Sequence, residues 1–461
     1  MSITRIVLCL CIAVGMESAS AQDIAVCTAS GEQKIAAVAS AGTEFLVVWT
    51  DYRGGMYPDV RCRVLEYDGS FIGDELVVMP GSSANVIDDG PRACFAEYDY
   101  LVVWRDATLR KICGRRVNED GVILHDTFTI TSGTHPGRPA IAYSGTDYLV
   151  TYDYNMQDLY ARTVSVEGVP GSEFPISTMT GGQSTSQVAW GGVYLVVWRD
   201  ARRGSSEQDI YGQLVSADGQ LLGSEIPIVA GGPDLHMFPR VATNGLRFLV
   251  TWHDNRDGRR DIYGQFVSPS GSLIGSEFLI DTTSDVSHWL SRNGSNFTVV
   301  WSSGGDLWGR AVSAEGYVAA PVHLTSLPNS EYSPILSDDV LGISRFLAWR
   351  DTRNGNSDVY ARHNPVIGIE EQSGRNPIAD SPVLRTPIRG RRFTLDCGWL
   401  DATAVQLRIH DALGRELLSR QIAVNPQGTI TLDLPELTAG VYILQMEAQE
   451  RQRGQRFTVL R

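Results

Sequence analysis

The stretch FLVVW at residues 45–49 ends in Trp49, and closely related runs recur along the chain at intervals of 46–55 residues. The later copies end in Trp104, Tyr152, Trp198, Trp252, Trp301 and Trp349. Self-similarity at a period near 50 residues is typical of repeat architectures. The chain therefore contains seven copies of one unit.

Each unit has four short apolar segments, of which the aromatic-ending run is the second. The third reads DIYGQ at residues 209–213 and 261–265, and the fourth follows a glycine turn, as in GSEIPI at residues 223–228. β-Branched and aromatic runs separated by Gly, Asn and Asp predict strands, and no segment has a convincing helical period. Four antiparallel strands per unit predict an all-β chain built as a seven-bladed β-propeller.

The two ends of the repeat region predict how the ring closes. The seventh unit lacks its fourth segment, whereas DIAVCT at residues 23–28 aligns with EFLIDT at residues 277–282. We expect the N-terminal strand to complete the last blade, which removes exposed sheet edges. An open solenoid of stacked sheets, the alternative architecture, has no use for a repeat split in this way.

The N-terminus and the composition predict an exported protein. An apolar run at residues 6–16, followed by Ala-Ser-Ala at 19–21, predicts a signal peptide cleaved before Gln22, and this run is too short to span a bilayer. The chain has 461 residues and a net charge of −14, which argues against nucleic acid and anionic membranes as partners. The predicted division is signal peptide 1–21, propeller 22–366, linker 367–382 and C-terminal domain 383–461, with no transmembrane segment.

The mature chain would keep five cysteines, an odd number without zinc-ligand spacing. They are Cys27, Cys62, Cys94, Cys113 and Cys397. At most two disulfides can form, and the pairing stays open.

Repeated polar residues follow the aromatic anchors. An aspartate lies two residues after the tryptophan in five units, namely Asp51, Asp106, Asp200, Asp254 and Asp351. In four units the pattern extends to Asp-x-Arg and a closing acid, at Asp59, Asp209, Asp261 and Asp358. Calcium loops are one interpretation. We favour a structural one, in which the arginine braces two carboxylates across the loop between strands two and three. No cofactor is predicted, with calcium as the alternative.

The tryptophan anchors are predicted to fill the space between blades, rather than to stack on sugars. Function is expected where the repeats differ. Candidate ligand-binding residues are His135, Arg202, Arg203, His236, His288 and Trp289. The histidines precede inner strands and could serve as metal ligands or acid–base groups, but solvated loop histidines are favoured. An exposed tryptophan near arginine could hold a sugar or peptide.

The last 80 residues resemble a known family. LRIHD at 407–411, GREL at 414–417, LTAGVYIL at 437–444 and FTVL at 457–460 are similar to the type A C-terminal sorting domain of type IX secretion cargo, with Gly414, Gly440 and Tyr442 at its motif positions. Alternating apolar residues predict a small antiparallel sandwich there. The resemblance implies export across both membranes of a Gram-negative bacterium and recognition by the type IX machinery. The repeats also look like those of secreted bacterial propellers.

Three function classes stay open, because one fold hosts many roles. The leading prediction is a secreted or surface-displayed, non-catalytic binding or adhesion propeller, with an extracellular glycan or protein as ligand. The sequence has no G-x-S-x-G, H-E-x-x-H or phosphate-loop motif. The alternatives are an extracellular enzyme acting on polysaccharide or protein at the channel mouth, and a structural envelope component.

Overall fold

A computed structural model describes most of residues 23–363 and the strands of the C-terminal domain. The described ranges are 23–42, 44–66, 68–81, 90–107, 109–131, 133, 135–232, 234–282, 287–325, 331–338, 345–363, 365, 392–396, 404–411, 416–423, 429–433, 440–448 and 451–459. Across these ranges no helix is long and apolar enough to cross a membrane. The predicted signal peptide and the predicted linker at 367–382 lie outside them.

The N-terminal strand and the first four blades follow the chain in order. They comprise β1 (Ile24–Cys27); β2 (Gln33–Ser40), β3 (Glu44–Asp51), β4 (Asp59–Glu66) and β5 (Phe71–Met79); β6 (Arg92–Ala96), β7 (Asp99–Asp106), β8 (Lys111–Asn118) and β9 (Phe128–Thr129); β10 (Ala140–Tyr143), β11 (Asp147–Tyr154), β12 (Asp158–Ser165) and β13 (Pro170–Ser177); and β14 (Gln183–Trp190), β15 (Tyr194–Asp200), β16 (Asp209–Val215) and β17 (Leu221–Val229).

The last three blades continue this pattern. They comprise β18 (His236–Thr243), β19 (Phe248–Asp254), β20 (Asp261–Val267) and β21 (Leu273–Asp281); β22 (His288–Asn293), β23 (Asn296–Ser303), β24 (Asp306–Val312) and β25 (Val322–His323); and β26 (Glu331–Leu336), β27 (Phe346–Asp351) and β28 (Asp358–His363). The described residues of this region form seven four-stranded sheets, in which six blades take their strands consecutively. The prediction of a seven-bladed propeller is confirmed.

The N-terminal strand completes the seventh blade. The order of that sheet is β1-β28-β27-β26, and β1 runs antiparallel to β28 with Ile24 opposite Ala361 and Ala25 opposite Tyr360. The predicted closure is therefore confirmed. It joins the first strand of the ring to the last one and covers an edge that would otherwise remain open.

The core lies between neighbouring blades. Val48 of the first blade packs in one buried cluster with Trp104 of the second, and Trp49 packs with Val26 and Phe346 of the seventh. Apolar faces on both sides of each sheet are removed from water in this way, which is the main stabilising contribution in such a ring. Because the first blade packs on the seventh, the ring is continuous.

The C-terminal domain is also built of strands. They are β29 (Arg392–Asp396), β30 (Ala404–Asp411), β31 (Glu416–Ala423), β32 (Thr429–Asp433), β33 (Gly440–Ala448) and β34 (Arg451–Val459). The first pairs with β32, and the other four form a sheet in the order β31-β30-β33-β34. Two small antiparallel sheets are consistent with the predicted small β domain.

The four described cysteines, Cys27, Cys62, Cys94 and Cys113, are free thiols. Cys397 lies outside the described residues.

Removal of the closing strand is predicted to destabilise the ring. Deletion of residues 23–28 should sharply lower the melting temperature, because it exposes the third strand of the last blade and removes Val26, which is 1% exposed. Asp23→Asn should cost roughly 1–3 kcal/mol, since Asp23 accepts hydrogen bonds from both Arg353 and Arg362. Thermal unfolding followed by circular dichroism measures both effects.

The exposed Asp126 provides a matched control. Asp126→Asn should leave the melting temperature unchanged. A deletion variant that melts with the full-length mature chain would contradict the closure.

Candidate functional site

The aromatic anchors are structural in their placement. Trp49, Trp104, Trp198, Trp252, Trp301 and Trp349 are each at most 1% exposed. A sugar cannot reach a ring that is enclosed between two blades. Four of the six indoles also donate a hydrogen bond to the aspartate two residues later, at Asp51, Asp200, Asp254 and Asp351.

The fifth blade shows how the Asp-x-Arg motif works. Arg256 donates from its backbone N–H and from its guanidinium to Asp254, with Nε–Oδ1 2.9 Å and Nη2–Oδ2 2.5 Å. The same guanidinium donates to Glu277 on the outer strand at 2.6 Å and lies over the ring of Tyr263 at 4.1 Å. Burial raises the pKa of Asp254, but hydrogen bonds from His236 and Arg256 outweigh it and hold the pKa below its usual range.

Three other blades repeat this contact, which we call the strand brace. Arg53 joins Asp51 to Glu75, Arg202 joins Asp200 to Glu225, and Arg353 joins Asp351 to Asp23. In the third blade two tyrosine hydroxyls replace the arginine, because Tyr152 and Tyr154 both donate to Glu173. Asp106 lacks the arginine and instead accepts from the backbone N–H of Leu109.

The second partner of the arginine differs from the sequence prediction. The closing acids were expected to face it, but the partner is a glutamate 21–23 residues further along on the outer strand. The fourth strand pairs with the third and runs close to the loop between strands two and three, so a glutamate on the fourth strand reaches the guanidinium. Three of the four closing acids have other donors: Arg61 for Asp59, Arg203 for Asp209, and Asn354 and Asn356 for Asp358. The arginines therefore connect two strands of the blade and do not connect two acids of one loop.

Two of the three candidate histidines are buried, so the prediction of solvated loop histidines is wrong for them. His236 opens β18, with Nδ1 2.9 Å from the Gln208 carbonyl oxygen and Nε2 3.3 Å from Asp254. His288 opens β22, with Nε2 3.0 Å from the Thr251 hydroxyl. Burial, and then the neighbouring His253, lower the pKa of His288 well below its usual range. Both histidines serve blade packing.

His135 is exposed and has a positive φ of 64°, a conformation uncommon outside glycine. Arg202 and Arg203 lie in the long loop of the fourth blade, and both are paired with carboxylates. Arg202 belongs to the strand brace, and Arg203 binds Asp209 and Glu207. Among the described residues, no group of three or more His, Cys, Asp and Glu is arranged to hold a metal ion.

Trp289 belongs to a different arrangement, at the axis of the ring. In each blade one residue of the inner strand lies opposite the residue just before the aromatic anchor, as Trp289 does with Val300 and Arg240 with Thr251. The seven equivalent positions, which we call the channel layer, are Ala37, Arg92, Ala140, Gln187, Arg240, Trp289 and Ile335. Four of these seven carry a large polar or amphipathic side chain, and those four are half-buried, whereas the aliphatic ones are buried.

This layer contains two arginines, Arg92 and Arg240, and Arg138 lies two residues before Ala140 of the same layer. The guanidinium of Arg240 lies over the ring of Trp289, with its carbon 5.0 Å from the centroid. Burial, and then the charges of Arg92 and Arg138, lower the pKa of Arg240 to about 9. We call Arg92, Arg138 and Arg240 the basic cluster. It is the part of the site that sequence reasoning missed, although Arg92, Arg240 and Trp289 each lie twelve residues before their aromatic anchor.

The comparisons with known proteins define the C-terminal domain. Residues 391–459 match the family of secretion system C-terminal sorting domains. Gly440 and Tyr442 lie in β33, with Tyr442 opposite Phe457 in β34, and Gly414 lies outside the described residues. The protein therefore combines a seven-bladed propeller with a sorting domain of this family, the tail that addresses proteins to type IX secretion. Among curated proteins, none matches the sequence.

Several solved structures are similar in fold. A prolyl endopeptidase has 12% identity and a TM-score of 0.42, with 90% of this chain and 54% of that chain covered. The alpha-L-arabinanase of Penicillium chrysogenum complexed with arabinobiose has 17% identity and a TM-score of 0.41, with 59% and 92% covered. The polysaccharide lyase Uly1 has 11% identity and a TM-score of 0.46, with 72% and 89% covered. The chain thus spans about half of the endopeptidase. These likenesses concern the fold alone.

One buried acid near the motif has a long contact to its arginine. Glu331 opens β26 opposite Asp351, and its Oε1 lies 3.8 Å from Nη2 of Arg353, a distance too long for a hydrogen bond. Burial, and then repulsion from Asp351, raise the pKa of Glu331 to about 7. The equivalent places in the first and fourth blades hold Gln33 and Gln183.

This acid predicts a pH-dependent stability. The unfolded chain ionises Glu331 near pH 4.5, whereas the folded chain keeps it neutral until about pH 7, so its contribution is complete below pH 4.5 and is lost as the pH rises through 7. Glu331→Gln should therefore stabilise the protein at pH 8 by on the order of 3 kcal/mol and change little at pH 4.5. Melting temperatures across this range measure the difference.

The exposed Glu32 serves as control, since Glu32→Gln should show no such trend. A stabilisation by Glu331→Gln that is equal at both pH values would contradict the assignment.

Proposed function

We propose that the protein is an exported, non-catalytic binding protein whose ligand enters the axial channel. The observation that carries this proposal is the channel layer, where the chemistry of the side chains differs between blades. Arg92, Gln187, Arg240 and Trp289 occupy positions that are aliphatic in the other blades. Concave sites lined by an aromatic ring and a few convergent polar groups are the common form of ligand pockets.

The distribution of the other polar residues supports the same location. Repeated carboxylates and arginines are engaged in the strand braces, as in the pairs Arg202–Asp200 and Arg256–Asp254. Their donors and acceptors satisfy each other and hold the blade together. The half-buried polar side chains of the channel layer take no part in the strand braces, and their chemistry differs from blade to blade, as a localised binding site requires.

The sorting domain supports a function outside the cell. We infer that the mature chain begins at Gln22 and is either attached to the cell surface or released after recognition by the type IX machinery. A binding propeller at that location would act as an adhesin or as a capture module for an extracellular glycan or protein. The acidic net charge of −14 agrees with a ligand other than nucleic acid.

The test is binding of the mature chain, residues 22–461, to a broad glycan array with and without calcium. Selective binding to a glycan class is expected, and Trp289→Ala should reduce it about tenfold or more, because an aromatic contact at the centre of a site contributes strongly. Independence of calcium would agree with braces that need no metal ion. Dependence on calcium would restore the Asp-x-Arg loops as metal sites.

Tyr317→Ala provides the matched control. Tyr317 is 60% exposed and follows β24, on the face opposite the loops between second and third strands. This variant should bind as the parent does. Binding that survives Trp289→Ala unchanged would contradict a ligand site in the channel, and turnover of the bound glycan would contradict the non-catalytic role.

A further inference from the structure

The charge of the channel contrasts with that of the whole chain. The protein carries a net charge of −14, yet Arg92 and Arg240 occupy two of the seven channel-layer positions, and Arg138 lies two residues before a third, Ala140. A cleft with low-dielectric walls focuses the field of the charges that line it. The channel layer therefore carries two arginines and no carboxylate, in a protein that is acidic as a whole.

Arg240 is the central member of the basic cluster. Among the described residues its hydrogen bonding is limited to the carbonyl oxygen of Pro239, which Nη1 contacts at 3.2 Å, and its buried Nε has no partner. A guanidinium presents five N–H donors in a planar fork, a geometry that matches a carboxylate. The enclosed Nε is out of reach of a ligand, so the terminal guanidinium nitrogens of this half-buried side chain are the donors left for one.

The neighbours of Arg240 provide contacts of another kind. Trp289 lies beneath its guanidinium and packs partly against the core, and because it is half-buried, part of its side chain stays accessible to a ligand. Gln187 occupies the channel layer in the adjacent fourth blade and offers an amide that both donates and accepts. The aromatic ring of Trp289 can pack against the C–H groups of a sugar, and the amide of Gln187 can hydrogen-bond to its hydroxyls. The arginines can bind an acidic group on the same sugar.

We propose that the channel binds an acidic saccharide, with the carboxylate of a uronic acid residue held by the basic cluster and the sugar ring placed between Trp289 and Gln187. Arg240 is the principal anion ligand, and Arg92 and Arg138 add to the positive potential around it. This inference rests on the proposed binding function and names its ligand class. A saccharide is favoured over an acidic peptide because Trp289 and Gln187 lie in the same layer as Arg240.

Isothermal titration calorimetry on the mature chain tests the ligand class with matched probes. The probes are galacturonic acid oligomers, their methyl-esterified forms, poly-glutamate and inorganic sulfate. The methyl ester keeps the sugar and removes the charge, so we expect it to bind at least tenfold more weakly than the free acid. Affinity for the acid should also fall with rising sodium chloride, because salt screens the arginines.

Variants connect the binding to the channel. Arg240→Gln is expected to weaken binding of the acidic oligomer at least tenfold. The affinity of Arg240→Lys should lie between those of the parent and of Arg240→Gln, since lysine keeps the charge but loses the planar set of N–H donors. Arg110→Gln is the matched control, because Arg110 is exposed and its loss removes the same charge. Thermal melting of each variant verifies folding, and the methyl-ester comparison on the parent chain does not depend on any variant.

The outcomes separate this inference from the proposed function. If the acid and its methyl ester bind with equal affinity and Trp289→Ala abolishes that binding, the ligand is not recognised by its charge. This result would overturn the acidic saccharide as ligand class and would support a binding site in the channel. Tighter binding of poly-glutamate or of sulfate than of the acidic oligomer would overturn the saccharide class. Absence of binding by every probe at millimolar concentration would overturn the inference, and the glycan array would then decide whether the proposed function stands.

Discussion

Four of the seven blades depend on an arginine that joins two carboxylates from different strands of one sheet. Asp51, Asp200, Asp254 and Asp351 are at most 1% exposed, and an unpaired charge at that depth would be strongly destabilising. The guanidinium provides the counter-charge, stacks on a tyrosine in three blades and reaches the outer strand. Each brace thus fixes the loop after the second strand and the position of the fourth strand together.

The same contact explains why the ring closes with the N-terminal strand. Asp23 takes the place that Glu277 holds in the fifth blade, and it meets Arg353 as Glu277 meets Arg256. The seventh blade therefore obtains its brace from a residue 330 positions away along the chain. Closure couples the two ends of the propeller through packing and through charge, which removes the weakest edge of a tandem repeat.

Repetition made much of this architecture predictable from the sequence. Aromatic anchors fix the number of blades, and the alignment of residues 23–28 with 277–282 predicts the closing strand. The partner of each brace was not predictable in the same way, because the closing acids lie nearer to the arginine in sequence than the outer-strand glutamate does. Burial of His236 and His288 depends on how blades pack, a long-range property that local pattern does not contain. The basic cluster could not be recognised from the sequence, because the layer that its residues share is defined by the register of the inner strands.

Structural and candidate binding residues therefore form two separate sets. Residues that repeat, such as Trp252 and Arg256, hold the blades, whereas residues that differ at one height of the axis, above all Arg240 and Trp289, form the candidate site. The most direct measurement is a crystal structure of the mature protein with a galacturonic acid oligomer. This account predicts a carboxylate within hydrogen-bonding distance of the Arg240 guanidinium and a sugar ring against Trp289. A saccharide bound at the outer rim, with the channel layer untouched, would contradict it.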